Sequence, residues 1–212
     1  MTQFPRTMIG GVSVSRLVIG TNWFLGYSHT SLAKDKFIKS YQTRANVAEI
    51  LTVFLQHGVD LLLGMPVPML REAIKDAEDR VGRKLKLALS PHFNIVPGGP
   101  PENEPERVFD LCRSFGATFC FPHQCVTDAL IDRMHRKIRD LDKYSRMIRE
   151  RGLIPGLSTH MPETIVIADE TGADVETYIQ LYNAAGFLMQ VEADWIMRTI
   201  KNAKKPVLTI KP

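Results

Sequence analysis

No uninterrupted apolar run in the chain approaches the roughly 18 residues that a membrane span needs. No secretory leader is expected from the opening residues, and the three cysteines, Cys112, Cys120 and Cys125, lack the spacing of a metal knuckle. Cysteine usage of this kind points to a reducing, cytoplasmic setting without membrane attachment. No block of like charge is present either: 27 basic and 23 acidic residues are interspersed, for a net +4. A modest positive balance permits attraction to small anions, but it carries no nucleic-acid recognition motif. Neither G-x-G-x-x-G nor a P-loop follows the first apolar segment, which argues against a doubly wound nucleotide-binding sheet.

What is present is a regular alternation. Apolar residues make up 44% of the 212 residues, enough for one sizeable core and a single domain over 1–212. Short apolar runs at 15–21, 59–63, 85–89, 117–121, 154–158, 175–181 and 206–210 read as strands. Helix-period segments at 46–57, 69–81, 104–115, 162–171 and 192–203 fall between them, with a further long helix expected from the residues after Gln124 to about 151. Gly58 and Gly172 stand where helix C-caps belong. Strands alternating with crossover helices specify a parallel sheet, and the long first connection, 22–43, favours an α/β barrel of the TIM (β/α)8 type. Seven strands are visible. Such barrels have eight and run to roughly 250 residues, so the eighth unit is expected to be missing through truncation or incompleteness at the C-terminus.

In barrels of this type the chemistry stands at the carboxyl ends of the strands. Those positions hold Asn22, Ser90 and His92, His123 and Gln124, Ser158 and His160, Asn183, and Lys211. Three of the six histidines thus fall at the mouths of consecutive strands. His92, His123 and His160 could hold a zinc-like divalent metal with Glu192 as a fourth ligand. Alternatively, one of them acts as acid or base while the others hold a substrate oxygen. Asn22, Ser90, Gln124 and Asn183 are candidate substrate contacts. Lys211 is either a Schiff-base amine or an anion clamp. His29 with Lys34, Lys36 and Lys39 is a candidate lid, and the Pro- and Gly-rich segment 93–103 a candidate wall of the site. His57 and His135 are read as structural residues on helix faces, and the cysteines as small core residues.

Three segments, VSRLVIGTNWF at 14–24, the run at 154–183 and KPVLTIKP at 205–212, resemble the aldo/keto reductases. That likeness implies a (β/α)8 barrel reducing carbonyls with a nicotinamide cofactor, NADP among the candidates, through a tyrosine acid supported by lysine, aspartate and histidine. His123, in FCFPHQ, matches the family histidine. The tyrosine and aspartate positions are occupied by LLLGMPVP and the lysine position by Ser90 in LALSP, so most of the usual catalytic set is absent. The resemblance would place Ser158, Gln180 and Lys211 at the cofactor. Three functions follow as expectations: an enzyme acting on a small polar or anionic carbonyl compound through the histidine rim, an atypical nicotinamide-dependent reductase, and a ligand-binding barrel without catalysis. Each takes a small-molecule partner, and each is compatible with an oligomer.

Overall fold

A computed structural model of the chain describes residues 4–95 and 103–211. Two compact units emerge, one built from the residues up to Leu89 with Phe115–Thr118, the other from Ser90–Ser114 and the residues from Phe119 onward.

Unit 1 opens with an antiparallel hairpin, β1 (Arg6–Ile9) and β2 (Val12–Ser15), that the strand pattern did not anticipate. Its two-residue loop is Gly10-Gly11, and both residues take positive φ (51° and 78°), the conformation a type I′ hairpin turn requires. Then follow β3 (Val18–Gly20), α1 (Asn22–Leu25), α2 (Leu32–Tyr41), α3 (Arg44–Gln56), β4 (Leu61–Gly64), α4 (Pro68–Val81) and β5 (Lys86–Leu89). The strands β3, β4 and β5 pair in parallel in that order. α3 presents Val47, Ala48, Leu51 and Leu55 to the core, and α4 presents Leu70, Ala73, Ile74 and Ala77, each set at helical spacing. The long first connection is therefore not a loop. It carries two helices, with Ser31 and Thr43 capping α2 and α3 through their hydroxyls. His57 closes α3 as its C-cap, and Gly58 follows with φ 80°.

Unit 2 contains α5 (Pro105–Phe115, whose last residue groups with unit 1), β6 (Phe119–Cys120), α6 (Gln124–Ala129), β7 (Ile131–Asp132), β8 (Lys137–Ile138), α7 (Leu141–Glu150), β9 (Ile154–Pro155), β10 (Leu157–Ser158), α8 (Pro162–Thr171), β11 (Tyr178–Leu181), α9 (Ala193–Asn202) and β12 (Val207–Ile210). The expected long helix after Gln124 is replaced by α6, the β7–β8 hairpin and α7. Leu130, Ile131, Ile138 and Leu141 mimic helical spacing, but Asp132 accepts the His135 backbone N–H at 3.0 Å and Arg136 and Asp140 adopt φ of 47° and 56°. Those local bonds turn the chain where a helix would continue. His135 accordingly lies in this turn, with Nδ1 2.9 Å from Asp132, and not on a helix face.

β6 pairs in parallel with β9, and at Gly156 the same strand changes partner, so that β10 pairs with β11 and β11 with β12. Each unit's strands form open parallel ladders, and neither ladder set closes into a ring. Outside β10 and β11, Leu141, Leu157, Ile165, Ala168, Ala173, Val175 and Tyr178 form a buried cluster against α7 and α8.

Gly156 marks the tightest approach. A Cβ there would stand 2.1 Å from the Cδ1 and Cε1 atoms of Phe121. Alanine at 156 is expected to lower the stability of unit 2 by about 1–3 kcal/mol through overpacking. Urea unfolding checks it, and an unchanged midpoint contradicts it.

Candidate active site

After β5, burial alternates from Pro91 to Asn94, so successive side chains differ in their exposure. Phe93 is fully buried, while His92 and Asn94 on either side of it are exposed. The segment lies along the mouth of β6: Pro91 accepts the backbone N–H of His123 at 2.8 Å, and the rings of His92 and His123 meet edge-on with centroids 6.3 Å apart. His123 is the N-cap of α6. Its Nδ1 accepts the backbone N–H of Cys125 at 3.3 Å and lies 3.2 Å from the Cys125 sulfur. That sulfur is also 3.7 Å from Asn94 Oδ1. Because an amide N–H points at Nδ1, that nitrogen presents its lone pair to the start of α6.

A second link runs from α6 to the mouth of β10. Asp128 accepts the Thr159 hydroxyl at 2.5 Å and the His160 backbone N–H at 3.1 Å. Thr159 also accepts the Met161 N–H at 2.9 Å, fixing the turn into α8. Burial pushes the Asp128 carboxyl up to about 6, against the opposing pull of its Thr159 and His160 hydrogen bonds. Gln180 Nε2 then donates to the His160 carbonyl at 3.5 Å. The segments bearing His92, His123 and His160 are thus linked within unit 2 through Pro91 and Asp128.

The remaining expected site residues separate into groups. Gln124 is half-buried at the first position of α6. Ser90 is buried, and its Oγ has no partner among the described residues. Ser158 and Gln180 are buried within the strands at 5% and 0% exposure, and Gln180 Oε1 also lacks a partner among the described residues. Asn183 is used up by its own loop: its side chain donates to the Phe187 carbonyl and accepts the N–H groups of Ala185 and Phe187. Lys211 has a backbone φ of 58° and is half-buried, and burial lowers its ammonium pKa. Asn22 belongs to unit 1, where its amide pairs with His29 at 2.9 Å. Lys34 and Lys39 of the expected lid lie over the rings of Trp23 and Tyr27. Most of the expected wall, residues 96–102, lies outside the described residues.

The zinc set does not assemble. Among the described residues no three His, Cys, Asp or Glu side chains gather as a metal-holding group, and Glu192 stands exposed as the N-cap of α9. Sequence reading also passed over Asp128 and Asn94. The one available signal was a lone carboxylate inside the apolar run CVTDAL, where an ionised side chain needs partners. Cavities of about 420 Å³, lined by Lys137, Asp140 and Ala173, and about 1160 Å³, lined by Arg6, Asp60 and Arg83, lie elsewhere; neither is lined by His92, His123 or His160. No helix among the described residues is long and apolar enough to cross a membrane.

No protein-family model matches the sequence, and no curated protein does. Solved structures do match in fold. An aldo/keto reductase from Brucella melitensis superposes with a TM-score of 0.60 over 99% of this chain and 73% of its own, at 11% identity. A thermostable aldo-keto reductase solved with the inhibitor epalrestat gives 0.58 over 97% of this chain and 72% of its own, at 13% identity. The fold resembles that of the aldo/keto reductases. At identities this low the superpositions show a (β/α)-barrel-like fold and nothing of the chemistry.

Proposed function

We propose that the chain is a barrel enzyme acting on a small polar or anionic carbonyl compound, with His123 as its acid–base group. The observation that carries this reading is that Pro91, beside His92, accepts the His123 N–H while Asp128, on the helix that His123 caps, accepts from Thr159 and His160. The His123 imidazole caps α6 at the mouth of β6, where it would exchange a proton with a carbonyl oxygen. The edge-on ring of His92 borders the same place, and Asp128 holds the backbone that presents His160.

The aldo/keto reductase fold favours a second reading, in which a nicotinamide cofactor supplies hydride to the carbonyl carbon. The residues present fit that group in part. Lys211, a half-buried cation without an ion pair among the described residues, suits its phosphates, and the unpaired Gln180 Oε1 could accept from its carboxamide with Ser158 beside it in the strands. His123 would then deliver the proton to the carbonyl oxygen.

Calorimetric titration with 2-oxobutyrate tests the first reading. The double replacement His123→Ala with His160→Ala is expected to weaken binding by about tenfold or more, the scale of one charge-assisted hydrogen bond. Equal affinity overturns the assignment. Repeating the titration with NADPH present separates the readings, since the second requires the oxo acid to bind more tightly to the NADPH-loaded protein.

A further inference from the structure

Of the three cysteines, Cys112 and Cys120 are fully buried, and Cys125 alone is partly open to solvent. It stands at a strand mouth beside an imidazole, and no part of the proposed acid–base role uses its sulfur. We infer that Cys125 and His123 form a nucleophile–base pair that captures small aldehydes as a hemithioacetal, an inference that rests on the carbonyl-substrate reading and adds a covalent step to it.

The geometry gives the direction of proton transfer. Nδ1 of His123 faces both the Cys125 backbone N–H at 3.3 Å and its sulfur at 3.2 Å. An amide N–H can only donate, so Nδ1 presents its single lone pair on this side, within reach of the thiol hydrogen. Asn94 Oδ1, 3.7 Å from the sulfur, is another acceptor on the thiol. Burial pushes the Cys125 thiol up, so the resting group is S–H and not a stored thiolate. A neutral thiol adds to a carbonyl only if a base takes its proton as the bond forms, and the base is already in contact.

The step balances without an oxidant. The sulfur–carbon bond forms as the carbonyl π bond opens, and Nδ1 receives the thiol proton. The resulting imidazolium returns one proton to the oxyanion, leaving a neutral hemithioacetal and a neutral ring. Aldehydes are favoured over ketones because the less substituted carbon resists addition least. Ser90 is a further polar side chain on the segment that carries Asn94. It is buried at 8% exposure, its Oγ has no partner among the described residues, and it heads the segment that carries His92 and Asn94. Buried hydroxyls are rarely left unsatisfied, and a bound oxygen would fill that role.

Carbon NMR with glyoxylate labelled at its aldehyde carbon tests the inference on the whole chain. The wild type is expected to show a new tetrahedral carbon signal that Cys125→Ser abolishes and Cys112→Ser retains. His123→Asn keeps an N-cap side chain and is expected to slow the appearance of the signal by about tenfold or more. A signal that survives Cys125→Ser, or an unchanged rate in His123→Asn, overturns the pairing. If 2-oxobutyrate binds but glyoxylate gives no adduct, the covalent step falls and the carbonyl reading stands; if neither ligand binds, both fall.

Discussion

Phe93→Ala is expected to lower the stability of unit 2 by about 3–5 kcal/mol, the usual cost of emptying a buried aromatic site. Phe93 is fully buried, with its ring edge-on to Tyr144 at 5.0 Å and to Phe109 at 5.6 Å, and those two rings are themselves 6.4 Å apart. Each such pair adds about 0.5–1.5 kcal/mol beyond area burial. No neighbour can close the gap without breaking the triad. The adjacent His92 is exposed, so His92→Ala should change stability by no more than about 0.5 kcal/mol. Urea unfolding followed by a probe in unit 2 distinguishes them. Equal effects from the two variants would mean that the alternation of segment 90–94 is wrong. The pair also bears on function, because the inward Phe93 is what turns His92 and Asn94 outward beside His123 and Cys125.

Asp128→Asn should change the pH dependence of stability. The ordinary aspartate value is 3.8, and in the folded chain burial raises that of Asp128 to about 6. Below 3.8 both folded and unfolded chains are protonated at this position, and its hydrogen bonds contribute in full. Between 3.8 and about 6 the folded state binds more protons than the unfolded one, so stability falls as pH rises. Above about 6 the folded chain carries a buried charge, at a cost of about 3 kcal/mol relative to acid pH. Asparagine removes that titration. Its carbonyl can accept the His160 N–H, and its amide can donate to Thr159 Oγ1. The wild type should therefore lose about 2–3 kcal/mol relative to Asp128→Asn between pH 4 and pH 7. Taking the difference between the two proteins matters, because Asp60, Asp76, Asp132 and Asp174 have lowered values and drive stability the opposite way. Parallel stability curves would contradict the raised carboxyl.

The seven strands were legible in the sequence because each is a short apolar run between helix-period segments, and all seven appear as parallel strands. Their lengths were less legible: 175–181 shortens to β11, Tyr178–Leu181, since only the residues facing Val207–Ile210 find ladder partners. The β1–β2 hairpin was missed although Gly10-Gly11 lies between alternating residues, the pattern a two-residue turn leaves. The region after Gln124 misled for the opposite reason. Its apolar spacing suits a helix, and what breaks it is a side-chain bond from Asp132 that periodicity cannot register. At the site, the strand-mouth rule named His92, His123 and His160, because chain order alone determines which residues follow a strand. It could not tell that Asn183 spends its amide on its own loop, that Glu192 stands exposed at the start of α9, or that Asp128 ties two of the mouths together. Those are facts of side-chain partnership, and a linear sequence carries them only weakly.

The proposed function requires that the histidine-bearing segments of unit 2 form one carbonyl-binding site. Its most direct test is a titration of the imidazole proton and nitrogen NMR signals with 2-oxobutyrate. The account predicts that His92, His123 and His160 shift together along a single saturable curve while His57 and His135 stay fixed. Shifts confined to His57 or His135, or no saturable shift at His123, would contradict it.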